Sequence, residues 1–534
     1  MNRKLFLLLS ISTGLLLTFS WPVNGFTPLI FVALVPLLFL QQFIADEKRK
    51  GVFWYSWLAF FLWNILTTWW IWNSTAAGSL MAFILNSLFT ATVFQLYHIS
   101  KKKLFDNKKG AAILIFYWIT WEFIHMNWDL TWSWMNLGNV FASKHTWIQW
   151  YEYTGSLGGT LWVLIVNVIV FEILYGLYKK ISKIKVIINS TILVLIIAVP
   201  LITSIVIYNS YVEKSDPVEV VVVQPNVDPY NEQYSLSYYE LLEKNLGLAN
   251  QKADQNTNFI VFPESALQED IWEEYLDRSR TLKSLQFELV KYPKATIVIG
   301  ATSYRNIAED EKPTNAARKF RDSEGYYYAY NTAFMVEKDI PFQIHHKSKL
   351  TPGVEIMPSW WILKPVEALA IDLGGTTGTL GRETEPMAFF SAKNGAVSPI
   401  ICYESVYGEF VANSVALGAG LIFVITNDGW WGDTPGYKQH FLFSVLRAIE
   451  TRRSVARSAN TGISATINQR GDILQQTEYW VPDVIKDTLN ANYDLTYYVK
   501  NGDYIARISA FISALLLLIS YVQGFLKKKK SLAR

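Results

Sequence analysis

Eight long apolar runs dominate this sequence. The runs cover about residues 5–20, 27–43, 52–72, 79–99, 111–126, 158–178, 186–208 and 505–525. A helix needs about 20 apolar residues to cross about 30 Å of hydrocarbon, and shorter runs need flanking aromatic residues or a thinner bilayer. We therefore predict a multi-pass α-helical membrane protein in which seven spans precede a long polar insert and an eighth follows it.

The basic residues are distributed unequally between the two sides of these spans. With a cytoplasmic N-terminus, the cytoplasmic ends carry Arg3, Lys4, Lys48, Arg49, Lys50, Lys101, Lys102, Lys103, Lys108, Lys109, Lys179, Lys180, Lys183, Lys185, Lys527, Lys528, Lys529, Lys530 and Arg534. The opposite short loops, 21–26, 73–78 and 127–157, contain one basic residue, Lys144. Because cytoplasmic loops carry an excess of Lys and Arg, we predict that both termini are cytoplasmic and that the insert lies outside the cytoplasm.

The insert alternates between continuous apolar runs and runs of helical periodicity. The apolar runs, rich in β-branched residues, are 218–224, 256–262, 295–300, 397–402, 421–426 and 463–467. Such runs are typical of strands buried on both faces, whereas 236–253 and 437–453 have the periodicity of helices. We predict an α/β domain over 209–504, between a membrane domain over 1–208 and a C-terminal span with a basic tail over 505–534.

The single cysteine and the lack of common cofactor motifs exclude several classes of protein. Cys402 is the only cysteine among 534 residues, so an intrachain disulfide and a multi-cysteine zinc or iron–sulfur site are excluded. The six histidines show no HExxH spacing, and the chain contains no P-loop. We therefore expect no metal and no cofactor. The net charge of +3 does not point to nucleic acid as a partner, and we expect none.

Three side chains with complementary chemistry follow apolar runs of the insert. Glu264 follows the run 256–262, Lys347 comes after a tyrosine-rich run over 326–336, and Cys402 ends the run 397–402. Ligands of α/β sheets bind at the carboxyl ends of strands, where these side chains can converge. A carboxylate can take the proton of a thiol, and an ammonium can stabilise the oxyanion that forms when the sulfur attacks a carbonyl. The three residue types are therefore sufficient for acyl transfer.

Each of the three residues also has a simpler explanation when it is taken alone. A lone cysteine is often a buried structural thiol, a glutamate can stabilise a helix N-terminus, and most lysines are solvated. Their occurrence together and in this order favours the catalytic interpretation.

The segments around these residues resemble the motifs of the nitrilase superfamily, the carbon–nitrogen hydrolases. Glu264 lies in FPES, Lys347 in HKSKLTP and Cys402 in ICYES. Two further segments resemble motifs of the superfamily, TNDGWWG at 426–432 and RAIETRR at 447–453. With spans on both sides of the domain, the whole chain is similar to the apolipoprotein N-acyltransferase family.

The resemblance implies a nitrilase-like α-β-β-α sandwich outside the cytoplasm and a role for each of the three residues. Cys402 would be the nucleophile, Glu264 the general base and Lys347 the stabiliser of the oxyanion. Lys349 is an alternative to Lys347, but the spacing H-K-x-x-L-x-P-x-x-E aligns Lys347 with the superfamily's lysine.

The same resemblance assigns supporting roles to three neighbouring residues. The backbone N–H of Tyr403 would be a second donor to the oxyanion. Glu355 and Glu404 match two further acidic positions, and they would hold Lys347 charged and position it.

The resemblance also implies substrates and a location. An acyl chain would move from a phospholipid, expected to be phosphatidylethanolamine, to Cys402 as a thioester, and then to the diacylglyceryl-modified N-terminal cysteine of an apolipoprotein. The enzyme would be a monomer in a bacterial inner membrane, with its catalytic domain in the periplasm. Trp360, Trp361, Trp430 and Trp431 are candidates for contact with lipid, because tryptophan prefers the headgroup region.

Two other functions remain open from the residues alone. A membrane-tethered amidohydrolase would use the same three residues on small amides, with water as the acyl acceptor. A transporter with a large external domain would also explain the spans, although the sequence shows no matching halves of the kind that many transporters contain.

Overall fold

The chain folds into two compact units in the computed structural model. The structure describes residues 3–180, 182–233, 235–356 and 379–532. The first unit, called the helical unit, comprises Met1–Trp69, Ser79–Ser210 and Asp503–Arg534. The second, called the sheet unit, comprises Trp70–Gly78 and Tyr211–Gly502.

Apolar helices make up the helical unit. In chain order, those that precede residue 211 are α1 (Arg3–Ser20), α2 (Val35–Asp46), α3 (Val52–Thr68), α4 (Ala76–Phe105), α5 (Ile113–His125), α6 (Tyr151–Tyr178) and α7 (Lys183–Ser210). Helices α1 and α3 approach closely at Gly14, where a Cβ would lie 2.7 Å from the backbone oxygen of Ala59. Small residues allow this kind of close helix packing in membrane proteins.

The buried carboxylate of Glu122 is fully bonded within the helical unit. Its Oε1 accepts hydrogen bonds from Trp118 Nε1 at 2.9 Å and from the backbone N–H of Leu137 at 2.8 Å. Its Oε2 accepts a hydrogen bond from Thr160 Oγ1 at 2.7 Å. Because three donors satisfy the buried carboxylate, packing between α5, α6 and the segment that joins them explains its presence.

Two β-sheets form the centre of the sheet unit. Their strands are β1 (Pro217–Gln224), β2 (Phe259–Val261), β3 (Leu267–Trp272), β4 (Thr296–Asn306), β5 (Arg318–Lys319), β6 (Tyr326–Val336), β7 (Gln343–His346), β8 (Phe389–Ser391), β9 (Gly395–Ile401), β10 (Leu421–Thr426), β11 (Ser454–Ala459), β12 (Ala465–Ile467), β13 (Ile473–Gln476) and β14 (Asp483–Asn490). The first sheet has the order β14-β1-β2-β4-β6-β5, with β3 paired to β4 and β7 paired to β6. The second has the order β13-β12-β11-β10-β9-β8.

The two sheets pack face to face, and helices cover their outer faces. Apolar side chains from both sheets, among them Val220, Phe259 and Phe423, form one buried cluster between them. The helices are α8 (Tyr238–Lys252), α9 (Arg280–Glu288), α10 (Gly408–Ala416), α11 (Pro435–Thr451) and α12 (Tyr497–Asn501). Leu242 of α8 and Leu282 of α9 pack on the first sheet, while α10 and α11 contact β9 and β11 of the second. The layers are therefore helix, sheet, sheet and helix, as the resemblance implied.

Strand direction brings the ends of several strands to a common edge. Strands β1, β2 and β4 pair in parallel in the first sheet, and β9, β10 and β11 do so in the second. Strand β7 is antiparallel to β6, which is antiparallel to β4, so β7 runs in the direction of β4. Glu264 and Lys347 therefore follow strands that end at the same edge of the first sheet, and Cys402 follows β9 in the sheet that faces it.

Six helical segments among the described residues are long and apolar enough to cross a membrane. They are Arg3–Ser20, Thr27–Asp46, Gly78–Phe105, Tyr151–Tyr178, Lys183–Ser210 and Tyr504–Lys527, the last lying in helix α13 (Tyr504–Leu532). The other two predicted spans coincide with α3 and α5, which have 17 and 13 residues. Each of the eight apolar runs therefore contains helix, and six have the length of a span.

Candidate active site

Cys402 lies where β9 turns into the short 3-10 helix Cys402–Val406. Its φ of +49° falls in the left-handed region, which residues other than glycine rarely adopt. The side chain is half-buried and lines a cavity. Burial, and then the nearby carboxylate of Glu264, raises the pKa of the Cys402 thiol well above its usual range. The resting thiol is therefore protonated near neutral pH, and its attack on a carbonyl needs a base.

Glu264 lies in the turn after β2 and is held by three donors. Its Oε1 accepts hydrogen bonds from Lys347 Nζ at 3.1 Å and from Asn331 Nδ2 at 2.7 Å. Its Oε2 accepts a hydrogen bond from the backbone N–H of Asn427 at 3.0 Å. The turn passes so close to β4 that a Cβ on Gly300 would lie 2.6 Å from the Cα of Glu264. Glycine at position 300 therefore leaves room for the turn that places the Glu264 carboxylate in the site.

Lys347 follows β7 and is buried between two carboxylates. Its side chain is 1% exposed, and Nζ donates hydrogen bonds to Glu264 Oε1 at 3.1 Å and to Glu355 Oε1 at 2.8 Å. Burial alone would lower the pKa of Lys347, but the two carboxylates raise it well above its usual range. The side chain is therefore a stable ammonium that faces the cavity.

Glu355 reaches Lys347 from the end of the loop that follows it. Its Oε2 accepts a hydrogen bond from the backbone N–H of Thr351 at 2.8 Å, and Gly353 turns the loop with a φ of +78°. Burial alone would raise the pKa of Glu355, but Lys347 lowers it. Glu355 is therefore a charged partner of the lysine, and its part in catalysis stays a prediction.

Glu404 is fully buried and connects the turn at Cys402 to the chain next to Lys347. It accepts hydrogen bonds from the backbone N–H of Ile401 at 2.8 Å and of Ser348 at 2.6 Å, and His345 Nε2 lies 3.2 Å from it. Within the described part of the chain, Glu404 forms no hydrogen bond or ion pair with Lys347. Glu404 thus fixes the backbone on both sides of the site.

One cavity of about 130 Å³ brings the predicted residues together. Its lining includes Ser74, Gln233, Glu264, Thr302, Tyr330, Asn331, Lys347, Thr351, Glu355, Leu380, Cys402, Asn427, Trp430 and Trp431. A carboxylate, an ammonium and a thiol therefore face the same small space, with aromatic and apolar groups on part of its wall.

Two of the four predicted tryptophans line this cavity. Trp430 and Trp431 are half-buried. The ring of Trp430 lies 5.2 Å from that of Tyr230, and the ring of Trp431 lies 4.7 Å from that of Trp70. Both rings are therefore held by aromatic neighbours, and their contact with lipid stays a prediction.

The remaining predicted residues are placed as follows. Lys349 Nζ lies 5.1 Å from the ring centre of Tyr407, and in the described part of the chain this lysine does not line the cavity. The backbone N–H of Tyr403 belongs to the turn that begins at Cys402. Trp360 and Trp361 lie outside the described residues.

The segment between α3 and α4 forms part of the cavity wall. Ser74 lines the cavity, and Asn73 Nδ2 donates a hydrogen bond to the backbone oxygen of Trp431 at 2.8 Å. The indole of Trp70 packs against Gly436, where a Cβ would lie 2.6 Å from the ring. We call Trp70–Gly78 the connecting segment. No motif of the sequence marks it as part of the site, because its partners are hundreds of residues away.

Asn331 of β6 is another site residue that the motifs do not reveal. Its side-chain nitrogen donates hydrogen bonds to Glu264 at 2.7 Å and to Glu355 at 3.0 Å. A single atom so close to two carboxylates must be the amide nitrogen, which settles the orientation of the side chain. The one available signal was an asparagine within the tyrosine-rich strand.

A buried polar cluster also adjoins Cys402. His440 Nδ1 lies 2.8 Å from Asp428 Oδ1, and Arg457 Nη2 lies 2.6 Å from Asp428 Oδ2 and 3.1 Å from His440 Nδ1. Ligand atoms of Cys402, Asp428 and His440 lie within 4.8 Å of one another, a spacing that a metal ion could use. The guanidinium of Arg457 already supplies the positive charge between Asp428 and His440, so the cluster is satisfied by the chain itself.

Two protein-family models match the chain. The model described as the apolipoprotein N-acyltransferase N-terminal domain matches residues 13–169. The model described as carbon–nitrogen hydrolase matches residues 220–496, which contain Glu264, Lys347 and Cys402.

Several relatives match nearly the whole chain. A protein of Chlorobaculum tepidum named apolipoprotein N-acyltransferase is 30% identical over 529 residues, covering 96% of each chain. Proteins of the same name from Geobacter metallireducens and Haemophilus influenzae are each 24% identical, covering 93% and 100% of this chain and 92% and 97% of theirs. Among solved structures, Saccharomyces cerevisiae Nit3, a member of branch 10 of the nitrilase superfamily, is 15% identical with a TM-score of 0.38, over 53% of this chain and 92% of that one.

Proposed function

We propose that this chain, which belongs to the apolipoprotein N-acyltransferase family, moves an acyl chain from a phospholipid to an apolipoprotein. The chain is an acyltransferase with a carbon–nitrogen hydrolase domain. The proposed donor is phosphatidylethanolamine, and the acceptor is the α-amine of an N-terminal cysteine that carries a diacylglyceryl group. The observation that carries the proposal is that Glu264, Lys347 and Cys402 line one cavity.

In the first half-reaction, Cys402 accepts the acyl chain. Glu264 takes the proton of the thiol while the sulfur bonds to the ester carbonyl carbon of the phospholipid. The ammonium of Lys347 and the backbone N–H of Tyr403 stabilise the negative charge on the carbonyl oxygen. The carbon–oxygen bond then breaks, Glu264 returns the proton to the departing lysophospholipid, and a thioester remains on Cys402.

In the second half-reaction, the thioester passes its acyl chain to an amine. The α-amine of the acceptor bonds to the thioester carbonyl carbon while Glu264 takes one of its protons. The oxyanion again lies next to Lys347. The carbon–sulfur bond breaks, the proton goes to the sulfur of Cys402, and the product is an amide together with the restored thiol.

The charges of the site favour this use of the thiol. Burial and Glu264 keep the thiol of Cys402 protonated at rest, so little reactive thiolate is present without substrate. When a carbonyl binds, the negative charge moves from the sulfur to an oxygen near Lys347, whose ammonium is held by two carboxylates. Attack is therefore favoured when a substrate carbonyl is in place.

The connecting segment supports a substrate that is anchored in lipid. It continues directly into α3 and α4, two helices that contain predicted spans, and its Ser74 lines the cavity. The half-buried rings of Trp430 and Trp431 add apolar surface, which suits an acyl chain. A small soluble amide would need neither feature.

The arrangement in the membrane is also part of the proposal. We propose eight spans, with a membrane domain over 1–208, a catalytic domain over 209–504 and a C-terminal span and tail over 505–534. The basic residues favour cytoplasmic termini and a periplasmic catalytic domain in a bacterial inner membrane. Anchors on both sides of the catalytic domain favour a monomer.

The identity of the acyl acceptor tests the proposal. The full chain is incubated with phosphatidylethanolamine that carries a labelled acyl chain and with a synthetic peptide whose N-terminal cysteine bears a diacylglyceryl group. We expect the label to appear on the peptide in an amide bond, and Cys402→Ala to abolish the transfer.

Two controls separate this function from hydrolysis. A peptide with an acetylated N-terminus has no free amine and should receive no label. Release of labelled fatty acid at the same rate with and without the free-amine peptide, together with cleavage of a small amide such as propionamide, would indicate an amidohydrolase instead.

A further inference from the structure

The carbonyl oxygen of Cys402 is held by two side chains that the proposed mechanism does not use. Ser405 Oγ donates a hydrogen bond to this oxygen at 2.7 Å, and His440 Nε2 lies 3.1 Å from it. Ser405 Oγ and His440 Nε2 are themselves 3.0 Å apart. Both side chains are buried, and neither is among the described residues that line the cavity. They therefore approach Cys402 through its backbone, without touching the substrate space.

The ring of His440 is locked in this orientation by charged partners. Its Nδ1 lies 2.8 Å from Asp428 Oδ1, and its Nε2 lies 3.1 Å from the carbonyl oxygen of Cys402. Both oxygens are acceptors, so a ring that bonds both carries a hydrogen on each nitrogen and donates from each. Asp428 in turn accepts hydrogen bonds from Arg457 Nη2 at 2.6 Å and from Thr426 Oγ1 at 2.9 Å. Three side chains, from β10, the turn after it and β11, thus hold the imidazole of α11 against the carbonyl of Cys402.

The carbonyl matters because of the peptide bond to which it belongs. The C=O of Cys402 and the N–H of Tyr403 are the two ends of one planar trans peptide, and they point in opposite directions. Fixing the oxygen therefore fixes the direction of the N–H. The left-handed φ of Cys402, +49°, is a sparsely populated conformation that persists only where its surroundings hold it.

We propose that Ser405 and His440 are positioning residues of the oxyanion hole. By bonding the carbonyl of Cys402 they aim the N–H of Tyr403 at the place where the substrate oxyanion forms, and they polarise the peptide so that this N–H donates more strongly. The inference rests on the proposed function, because it assumes that Cys402 attacks a carbonyl.

A comparison of two reactions of the same sulfur tests the inference. Acylation of Cys402 by phosphatidylethanolamine forms an oxyanion, whereas alkylation by iodoacetamide displaces iodide and forms none. Ser405→Ala should slow acylation at least about tenfold, since loss of one oxyanion donor costs about a hundredfold to a thousandfold. The rate of alkylation should stay within about twofold of the rate for the unmodified protein. The ratio of the two rates thus reports on the oxyanion hole separately from the thiol.

A matched serine provides the control. Ser414 of α10 is also buried, and its hydroxyl is hydrogen-bonded to the backbone oxygen of Met387. Ser414→Ala should leave the ratio of acylation to alkylation unchanged. Equal slowing of both reactions in Ser405→Ala, or slowing of neither, would overturn the inference. If the unmodified protein is not acylated at all, the proposed function fails instead.

Two variants of His440 give a second, independent measurement. Glutamine can place its amide nitrogen near the position of Nε2 and keep a donor to the carbonyl of Cys402. Asparagine can keep only the bond to Asp428. His440→Asn should therefore lower the ratio of acylation rate to alkylation rate more than His440→Gln. Equal ratios in the two variants would contradict a role of His440 through the carbonyl of Cys402. This pair decides the question if Ser405→Ala does not fold.

Discussion

Lys347 lies between two carboxylates that have different tasks. Glu264 accepts a hydrogen bond from Lys347. In the proposed reaction it also takes and returns protons. Glu355 bonds Lys347 and the backbone of Thr351, and it has no proton to transfer in the proposed steps. The lysine therefore keeps a charged partner when Glu264 is protonated in mid-reaction. Asn331 bridges both carboxylates and keeps their spacing.

Glu355→Gln should move the alkaline limb of the pH–rate profile to lower pH. Glu264 and Glu355 together raise the pKa of Lys347, so removing one negative charge lowers it and the ammonium is lost at a lower pH. The rate of Cys402 acylation by phosphatidylethanolamine, measured between about pH 6 and 11, reports this shift.

A second glutamate serves as the control for that substitution. Glu311 pairs with Arg305 at 2.8 Å outside the cavity, so Glu311→Gln should leave the profile unchanged. An unshifted profile in Glu355→Gln would mean that Glu355 does not maintain the ammonium.

The three motif residues illustrate what local sequence can predict about a site. FPES, HKSKL and ICYES predicted that Glu264, Lys347 and Cys402 meet, and the structure brings them to one cavity. Their catalytic roles remain predictions. Asn331 was not predictable, because its importance comes from contacts with side chains on two other segments.

At the scale of elements, the turn after β2 depends on its packing against β4. A Cβ on Gly300 would lie 2.6 Å from Glu264 Cα and 2.7 Å from the backbone oxygen of Pro263. These are backbone atoms, which cannot move aside without displacing the turn. The position of Glu264 is therefore coupled to the absence of a side chain on the neighbouring strand.

Gly300→Ala should both destabilise the protein and slow acylation. Overpacking of this kind costs about 1–3 kcal/mol, and displacement of Glu264 should lower the acylation rate at least about tenfold. Thermal unfolding and the rate of thioester formation measure the two effects. Normal acylation in a folded Gly300→Ala protein would contradict the coupling.

Gly247 of helix α8, unlike Gly300, has open space where a side chain would go. A Cβ there would meet no atom within 4 Å, so Gly247→Ala should stabilise the protein by about 0.5–1 kcal/mol through the higher helix propensity of alanine. Its acylation rate should not change, which makes it a matched control for Gly300→Ala.

The elements that the sequence predicted well are those with strong local patterns. The apolar runs at 218–224 and 421–426 coincide with β1 and β10. The run 256–262 is strand only over Phe259–Val261, because its first residue, Asn256, lies in a turn where its backbone N–H donates a hydrogen bond to Asp254. Strand β14 was not predicted, since its polar sequence becomes a strand through long-range pairing with β1.

At the scale of the whole molecule, the apolar runs predicted the helices, but no sequence pattern assigned the connecting segment to the sheet unit. Each apolar run contains helix, because apolar length is a local property. The connecting segment belongs to the sheet unit through contacts such as that between Asn73 and Trp431, which are 358 residues apart. A segment so short and so far from its partners carries no periodic signal.

The single cysteine makes the topology directly testable. In a Cys402→Ala background, Lys108→Cys and Ser323→Cys each introduce one thiol at an exposed position, the first between α4 and α5 and the second in the sheet unit. In cells with a permeabilised outer membrane, a membrane-impermeant maleimide should label only the Ser323→Cys protein. The Lys108→Cys protein should be labelled after lysis. The reverse pattern would contradict a periplasmic catalytic domain.

Intact-mass analysis tests whether a lipid-derived thioester forms on Cys402. The purified full chain and Cys402→Ala are each incubated with phosphatidylethanolamine of defined acyl composition. We predict that the unmodified protein gains the mass of one acyl chain, that hydroxylamine removes it, and that Cys402→Ala gains nothing. An unmodified protein that transfers acyl chains without this adduct, or an equal adduct on Cys402→Ala, would contradict the claim.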